Sequence, residues 1–224
     1  MTDLNRLLKN EYFRVIVVLV VIASLMLGFF VGLSAMLGTA IPLRVVESGS
    51  MCLEPHGCDG WSHPFDQSLH VGDIILIQAV NPQDLNTIYP NSDIIVYQRP
   101  TNPADTPIVH RIVARYEENG ILYFQTKGDG NGRHWPVPID SSEYDSHTIW
   151  TSGEGVSQDL ILGRVVMRIP YIGWITLLMR GIPWALPLVV VLITLLIVFE
   201  FVVPLIKEQQ KKKQIEPQNP MAPL

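Results

Sequence analysis

The feature that most constrains this chain is an apolar run near its start. From Val15 to Leu43 there is no charged side chain over 29 residues. As a helix rising ~1.5 Å per residue, the run would measure roughly 44 Å, against about 30 Å for the hydrocarbon core of a bilayer. Residues 15–43 therefore predict a transmembrane anchor, one end of which tilts or leaves the membrane.

A cleavable signal peptide is the alternative interpretation of this run. Gly38 and Ala40 have the small-x-small spacing of a cleavage site. The apolar region of a signal peptide, however, is only ~7–15 residues long. The greater length found here favours a retained anchor.

A second apolar run begins at Ile182 and ends at Ile206, with Glu200 as its one charged residue. It predicts a second transmembrane helix over residues 181–206. The segments beyond the two runs, residues 1–14 and 207–224, contain more Lys and Arg than Asp and Glu. The positive-inside bias then places both termini in the cytoplasm and residues 44–180 on the other side. We therefore expect a two-pass protein of the cell membrane.

Two further segments have a composition that suggests their surroundings. Residues 207–224 are polar and rich in Lys, Gln and Pro, which predicts a disordered basic cytoplasmic tail. Residues 171–179 are apolar, with two aromatic side chains, but too few to span a bilayer. We therefore expect residues 171–180 to lie in the membrane interface. Packing of this segment on the central domain is the alternative.

The charge of the central domain excludes one class of partner. Residues 44–180 contain nine Lys or Arg against sixteen Asp or Glu. Nucleic acids are bound mainly through phosphates, which require a basic surface. We therefore expect no nucleic-acid partner.

The sequence between the two apolar runs predicts a mainly β domain. Short apolar runs bounded by Gly, Pro and Asn are typical of strands. They cover residues 74–77, 93–97, 108–116, 121–125 and 161–169. Asn119-Gly120 predicts a tight hairpin turn. Alternation along the third strand places His110 on one face with Ile108, Ile112 and Ala114, and Arg111 on the other.

The candidate nucleophile is Ser50, in the sequence Glu47-Ser48-Gly49-Ser50-Met51, seven residues beyond the first apolar run. Serine and glycine together are typical of ordinary turns, so this segment alone decides nothing. A serine hydroxyl becomes a useful nucleophile when a base removes its proton. His110 is the candidate base because the other five histidines are predicted on loops.

Other side chains could complete such a site in two ways. Asp129 and Asp140 are the acids that could orient a histidine. Lys127 is the only lysine between residues 44 and 180, so a Ser–Lys dyad would have to use it. The residues alone leave both arrangements open.

Cys52 and Cys58 are the only cysteines, and both are predicted outside the membrane. A disulfide closing this short loop is the favoured interpretation, and it would brace the backbone beside Ser50. A metal site with His56 and His63 is an alternative, but the spacing matches no common zinc pattern. Two free thiols are a further alternative. We expect no metal and no cofactor.

Five segments resemble, in order, the sequence boxes of type I signal peptidases. They are Ser48–Met51, Gly72–Ile75, Asp93–Tyr97, Val109–Val113 and Thr126–Asp129. Residues 163–166 and 169–173 are similar to the C-terminal part of the family. Bacterial-type members have a lysine where this chain has His110. The resemblance is therefore to the archaeal and endoplasmic-reticulum branch.

The resemblance implies a signal-peptidase-like β fold and a membrane-bound serine endopeptidase. Such an enzyme removes signal peptides from translocated preproteins after a small-x-small site. The implied partners are preprotein signal peptides, the lipid membrane, and translocon or accessory subunits.

The resemblance also assigns residue roles. It makes Ser50 the nucleophile and His110 the general base, with the Ser50 backbone N–H and the Ser48 hydroxyl facing the oxyanion. An aspartate downstream of Gly128-Asp129 completes the family's site. Asp140, eleven residues further on, is the nearest candidate, with Asp129 as second choice or helper.

The chain departs from the family pattern after Met51. The family usually has a proline two residues after this methionine, whereas here Cys52-Leu53-Glu54 precedes Pro55. The expected disulfide would replace the lost rigidity. Two alternative functions stay open: a Ser50–Lys127 dyad protease, and a non-catalytic membrane-tethered β module whose Cys52–Cys58 loop contacts a partner.

Overall fold

The structure is a computed structural model of the 224-residue chain. It describes residues 11–53, 68–99, 106–145, 155–182, 184, 187–196 and 199–200, with the backbone alone at 11, 12 and 14. The chain divides into two units, Met1–Trp174 and Ile175–Leu224. The sheet and the candidate site both lie in the first unit.

The first element is helix α1, Glu11–Leu37, whose side chains are mostly exposed and apolar. Its Val15–Leu37 segment is long and apolar enough to cross a membrane, the only helix in the described part of the chain to be so. Leu37 is followed by Gly38, whose positive φ of 66° ends the helix in the left-handed conformation that glycine adopts easily. The predicted anchor therefore forms an apolar helix that stops six residues before Leu43.

In the described part of the chain the main body is one seven-stranded antiparallel sheet. The strands are β1 (Leu43–Val45), β2 (Ile74–Gln78), β3 (Ile94–Tyr97), β4 (Ile108–Glu118), β5 (Ile121–Lys127), β6 (Val156–Ser157) and β7 (Ile161–Ile169). Their order across the sheet is β1-β2-β7-β3-β4-β5-β6. The late strand β7 therefore lies in the middle, between β2 and β3. A second helix, α2, covers Gly173–Gly181.

The five predicted strands are all present, and the predicted mainly β fold is confirmed. Asn119 and Gly120 have φ values of 52° and 78°, the pair of positive angles that a tight hairpin turn requires. Two short strands, β1 and β6, escaped prediction because three and two residues carry no periodic signal.

The second predicted membrane span is described only in part. A short apolar helix covers Pro187–Leu196, and residues 201–206 lie outside the described part of the chain. The predicted tail, residues 207–224, and the first ten residues also lie outside it. The two-pass topology therefore stays a prediction.

The core consists of two clusters on opposite faces of β3. On one face Ile95 and Tyr97 pack with Ile112, Phe124 and their neighbours. On the other face Val96 packs with Met51, Ile77 and their neighbours. Because β3 is buried on both faces, its neighbour β4 is held firmly over its first half, where His110 pairs with Ile95.

We expect Phe124→Ala to destabilise the domain by about 3–5 kcal/mol, since the ring is fully buried and its loss leaves a cavity. Denaturant unfolding in detergent, followed by tryptophan fluorescence, measures the change. Ile88→Ala is the matched control, because Ile88 is 76% exposed and its truncation should change stability by less than about 0.5 kcal/mol. Equal effects of the two changes would contradict the position of the core.

Candidate active site

Ser50 lies in a single helical turn, Gly49–Met51, between β1 and β2. Two backbone N–H groups, those of Asp129 and Gly130, hold this turn. The Met51 side chain is fully buried, and its sulfur accepts the backbone N–H of Asp129 at 3.5 Å. The carbonyl of Ser50 accepts the backbone N–H of Gly130 at 3.0 Å. The Ser50 backbone is therefore fixed by the Gly-rich turn that follows β5.

Two glycines make this close approach possible. A Cβ atom added at Gly128 would lie 2.4 Å from the carbonyl oxygen of Ser50. One added at Gly130 would lie 1.9 Å from the carbonyl oxygen of Cys52. Both distances are far inside van der Waals contact with backbone atoms, so the turn can pack against Ser50 only without side chains at these positions.

His110 joins Ser50 to an aspartate. Its Nε2 atom lies 2.9 Å from the Oγ of Ser50, and its Nδ1 atom lies 2.5 Å from Oδ2 of Asp145. His110 and Asp145 are 4% and 8% exposed. With the proton on Nδ1 donated to the carboxylate, Nε2 is left to accept the Ser50 hydroxyl proton. The three side chains thus form a continuous line of hydrogen bonds.

Asp145 is the residue that sequence analysis missed. It follows a short helical turn, Ser141–Glu143, and its backbone N–H donates to the carbonyl of Thr126 at 2.9 Å. It stands sixteen residues after Asp129 and five after Asp140, the nearer candidate. The available signal was its neighbour Tyr144, an aromatic residue that returns the chain to the core.

The choice of Asp140 as the acid that contacts His110 is corrected by this geometry. Asp140 is exposed and caps the Ser141–Glu143 turn, accepting the backbone N–H of Ser142 at 2.9 Å. Hydrogen bonds from the Ser142 hydroxyl and backbone N–H lower the pKa of its carboxyl group. Its sequence, Asp-Ser-Ser-Glu, has the pattern of a helix cap, which explains an aspartate at this position without catalysis.

Asp129, the second-choice acid, pairs with Arg111 instead. Nε and Nη2 of Arg111 donate to the two carboxylate oxygens of Asp129, each at 2.8 Å. The guanidinium also lies 4.8 Å from the centre of the Trp135 ring. Both charged groups are buried. Asp129 therefore braces the turn that holds Ser50, and its two carboxylate oxygens accept hydrogen bonds from Arg111.

Lys127 is buried and serves the same turn. Its ammonium group donates to the carbonyl oxygens of Gly128, Asn131 and Arg133. Burial lowers the pKa of Lys127. An ammonium group has three protons, and three carbonyl groups accept them, while His110 occupies the position beside Ser50. The geometry therefore disfavours the Ser50–Lys127 dyad.

The remaining predicted residues flank Ser50. Oγ of Ser48 lies 3.5 Å from Oγ of Ser50. Cys52 is disulfide-bonded, and its predicted partner, Cys58, lies outside the described residues. In the described part of the chain no group of His, Cys, Asp and Glu could hold a metal ion.

Ser50 and His110 open into a cleft of about 400 Å³. The end of β1 and the residues after it line one side, and the start of β4 lines another, with Val45, Ile108 and Val109 among the apolar side chains. Among the described residues β1 is an edge strand of the sheet. An edge strand next to a cleft is suited to an extended peptide, which can pair with it. Chemically, the arrangement is that of a serine hydrolase with a histidine base.

Comparison with known proteins agrees with this class. Signal peptidase complex catalytic subunit SEC11C of Homo sapiens is 27% identical over 183 residues, which are 81% of this chain and 79% of the relative. The catalytic subunit SEC11 of Metarhizium acridum is 27% identical over 170 residues, 75% of this chain and 81% of the relative. SEC11 of Verticillium alfalfae is 28% identical over 154 residues, 68% and 72% of the two chains.

These relatives are all catalytic subunits by name, and each is matched over most of its length. No protein-family model matches the chain. The chain is a homologue of the signal peptidase catalytic subunits, and the predicted resemblance to the endoplasmic-reticulum branch of type I signal peptidases is confirmed.

The buried pair of Arg111 and Asp129 yields a stability prediction. We expect Asp129→Ala to cost about 3–5 kcal/mol, because it leaves the Arg111 charge buried without its partner. Asp140→Ala should have a much smaller effect, since that carboxylate is exposed. Denaturant unfolding of both variants in detergent measures the difference, and a larger loss for Asp140→Ala would contradict the roles given to the two residues.

Proposed function

We propose that this protein is a membrane-bound serine endopeptidase that removes signal peptides from translocated preproteins. The observation that carries the proposal is the line of hydrogen bonds from Ser50 through His110 to Asp145. This line occurs in a chain homologous to signal peptidase catalytic subunits. The alternative of a non-catalytic β module is not favoured, because such a module has no use for a buried histidine–carboxylate pair beside a serine.

In the proposed reaction Ser50 Oγ attacks the carbonyl carbon of the scissile bond while Nε2 of His110 takes the hydroxyl proton. The carbonyl oxygen becomes an oxyanion, and the C–N bond breaks as His110 returns the proton to the leaving amine. The mature protein departs, and the signal peptide stays as an ester on Ser50. Water, deprotonated by His110, then attacks the ester and releases the signal peptide as a carboxylic acid.

Asp145 acts on His110 in the same two ways in every step. Its carboxylate accepts Nδ1–H of His110, which keeps the imidazole oriented with Nε2 toward Ser50. It also stabilises the positive charge that His110 carries after taking the proton. The oxyanion would be met by the Ser50 backbone N–H and by the Ser48 hydroxyl, whose Oγ lies 3.5 Å from Oγ of Ser50. One such donor typically accounts for about 3 kcal/mol of transition-state stabilisation.

The cleft supports the proposed substrate class. Its lining includes the apolar side chains of Val45 and Val109, and we propose that they select the small side chains of a small-x-small site. The short distance in sequence between the end of α1 at Leu37 and Ser50 keeps the nucleophile near the point where the chain would leave a membrane. A signal helix held in the same membrane would present its C-terminal end at that level, where small-x-small sites lie.

We propose the following arrangement in the membrane. Within residues 15–43 the helix that ends at Leu37 crosses the bilayer, and residues 181–206 cross it again. Both termini lie in the cytoplasm, and residues 44–180 form the catalytic domain on the other side. The charge asymmetry of the flanking segments supports this orientation. The relatives are named as subunits of a signal peptidase complex, so accessory subunits are proposed as partners besides the preprotein and the membrane.

We expect Ser50→Ala and His110→Gln to abolish cleavage of a test preprotein with a small-x-small site, assayed in liposomes. Asp145→Asn should lower kcat roughly 10³-fold or more, because an amide no longer favours the required tautomer and charge of His110. Asp140→Asn is the matched control and should cleave at close to the wild-type rate. Circular dichroism confirms that each variant is folded.

Two results would refute these roles. If Ser50→Ala still cleaves at the same bond, Ser50 is not the nucleophile. If Asp140→Asn loses activity while Asp145→Asn keeps it, the acid has been assigned to the wrong residue.

The base also makes the reaction depend on pH. His110 must be neutral to take a proton, so kcat should fall steadily as the pH becomes acidic. Initial rates with the test preprotein across a pH series measure this dependence, and unfolding measured over the same series separates it from loss of structure. A rate optimum at about pH 4 would rule out His110 as the base.

A further inference from the structure

The carboxylate of Asp145 receives a second donor besides His110. The hydroxyl of Thr126 donates to Oδ2 at 2.7 Å, the same oxygen that accepts Nδ1–H of His110 at 2.5 Å. Thr126 is fully buried at the end of β5, in register with Ile112 of β4. It also holds the backbone of Asp145, whose N–H donates to its carbonyl. One residue thus fixes both the main chain and the side chain of the acid.

A third buried group fixes Thr126 in turn. The hydroxyl of Tyr97 lies 3.1 Å from Oγ1 of Thr126. The threonine hydroxyl has one proton, which goes to the carboxylate, so its oxygen accepts the Tyr97 proton. Burial raises the pKa of Tyr97, which keeps the phenol protonated and therefore a donor. The hydrogen bonds run in one direction, from Tyr97 to Thr126 to Asp145.

We propose that Thr126, supported by Tyr97, is a positioning residue of the catalytic site, which orients the Asp145 carboxylate toward His110. This inference rests on the function proposed above. Asp145 lies outside the strands, so no ladder of backbone hydrogen bonds sets the direction of its side chain. A carboxylate held only by His110 could rotate and carry the imidazole away from Ser50. The Thr126 hydroxyl prevents this rotation by binding the same oxygen from a rigid strand.

A merely structural threonine would give a different result from a positioning one. Replacing a packed threonine changes stability, and replacing a positioning hydroxyl also changes the reaction rate of the folded enzyme. The test therefore compares substitutions of nearly equal volume. Thr126→Val keeps the shape and removes the hydroxyl, Thr126→Ser keeps the hydroxyl, and Tyr97→Phe removes only the phenol oxygen. All are assayed as the full chain in liposomes with the test preprotein.

We expect Thr126→Val to lower kcat about tenfold, with KM changed less than about twofold, because the effect lies on the base and not on substrate binding. Thr126→Ser should recover most of kcat, and Tyr97→Phe should lower it about threefold. The acid limb of the pH–rate profile should move to higher pH in Thr126→Val, since the unshared carboxylate attracts the imidazole proton more strongly. The charged residues that line the cleft beside His110 are Glu47 and Arg99. Both are the same in every variant, so they do not account for a difference in pH profile between variants.

Ser92→Ala is the matched control. Its hydroxyl is also buried and donates to a carbonyl oxygen, that of Ile112, but touches neither the acid nor the base. Its kcat and pH profile should stay those of the wild type even if its stability falls. A decrease in kcat as large as that of Thr126→Val would show that any lost buried hydrogen bond has this effect, and would overturn the proposal.

The remaining outcomes are equally decisive. A folded Thr126→Val enzyme with wild-type kcat and pH profile overturns the proposal, and so does a Thr126→Ser enzyme as slow as Thr126→Val. If Thr126→Val does not fold, the Tyr97→Phe variant tests the proposal in its place. A wild-type kcat in folded Tyr97→Phe would then overturn the proposal. Ser50→Ala, assayed in parallel, separates the two hypotheses. If it still cleaves, the proposed function itself fails; if it is inactive while the Thr126 variants are normal, only this inference fails.

Discussion

The site depends on the contact between the Ser50 backbone and the Gly-rich turn after β5. Ser50 belongs to a turn of three residues, and such a turn has too few hydrogen bonds of its own to hold a side chain in place. The N–H of Gly130 provides the missing restraint through the Ser50 carbonyl. The hydrogen bond between Ser50 and His110 depends on this contact, because a shift of the Ser50 backbone would break the 2.9 Å bond.

The turn itself is held by charges that the sheet buries. Arg111 and Lys127 are direct partners in the pairing of β4 with β5, so two positive side chains leave the sheet next to each other. Two like charges at this position would repel. Each instead has its own acceptors in the turn: Arg111 the carboxylate of Asp129, and Lys127 three backbone carbonyl groups. These hydrogen bonds offset the cost of burying the two cations. They also fix the turn that holds Ser50.

The sequence predicted two members of the site, Ser50 through the family resemblance and His110 for the same physical reason as the strands. A strand has a local period, so His110 could be placed on the face of Ile108 and Ile112, where its pairing with Ile95 puts it. The third member lacked such a signal. Asp145 reaches His110 through a loop whose path is set by tertiary contacts at Tyr144 and Thr126, and spacing along the chain does not encode them. Asp140 could have been set aside from sequence, because Asp-Ser-Ser-Glu has the pattern of a helix cap.

Two adjacent pairs of residues explain how one hairpin serves both the chemistry and its support. His110 and Arg111 are neighbours on β4, and Thr126 and Lys127 are neighbours on β5, so within each pair the side chains point to opposite faces. His110 and Thr126 meet Asp145 on one face. Arg111 and Lys127 hold the Gly-rich turn on the other. A slip of one residue in the pairing of β4 with β5 would exchange the faces of one pair relative to the other. The register of this hairpin, which includes the bulge between Ile112 and Ala114, therefore sets the proposed base, its acid and the support of the nucleophile together.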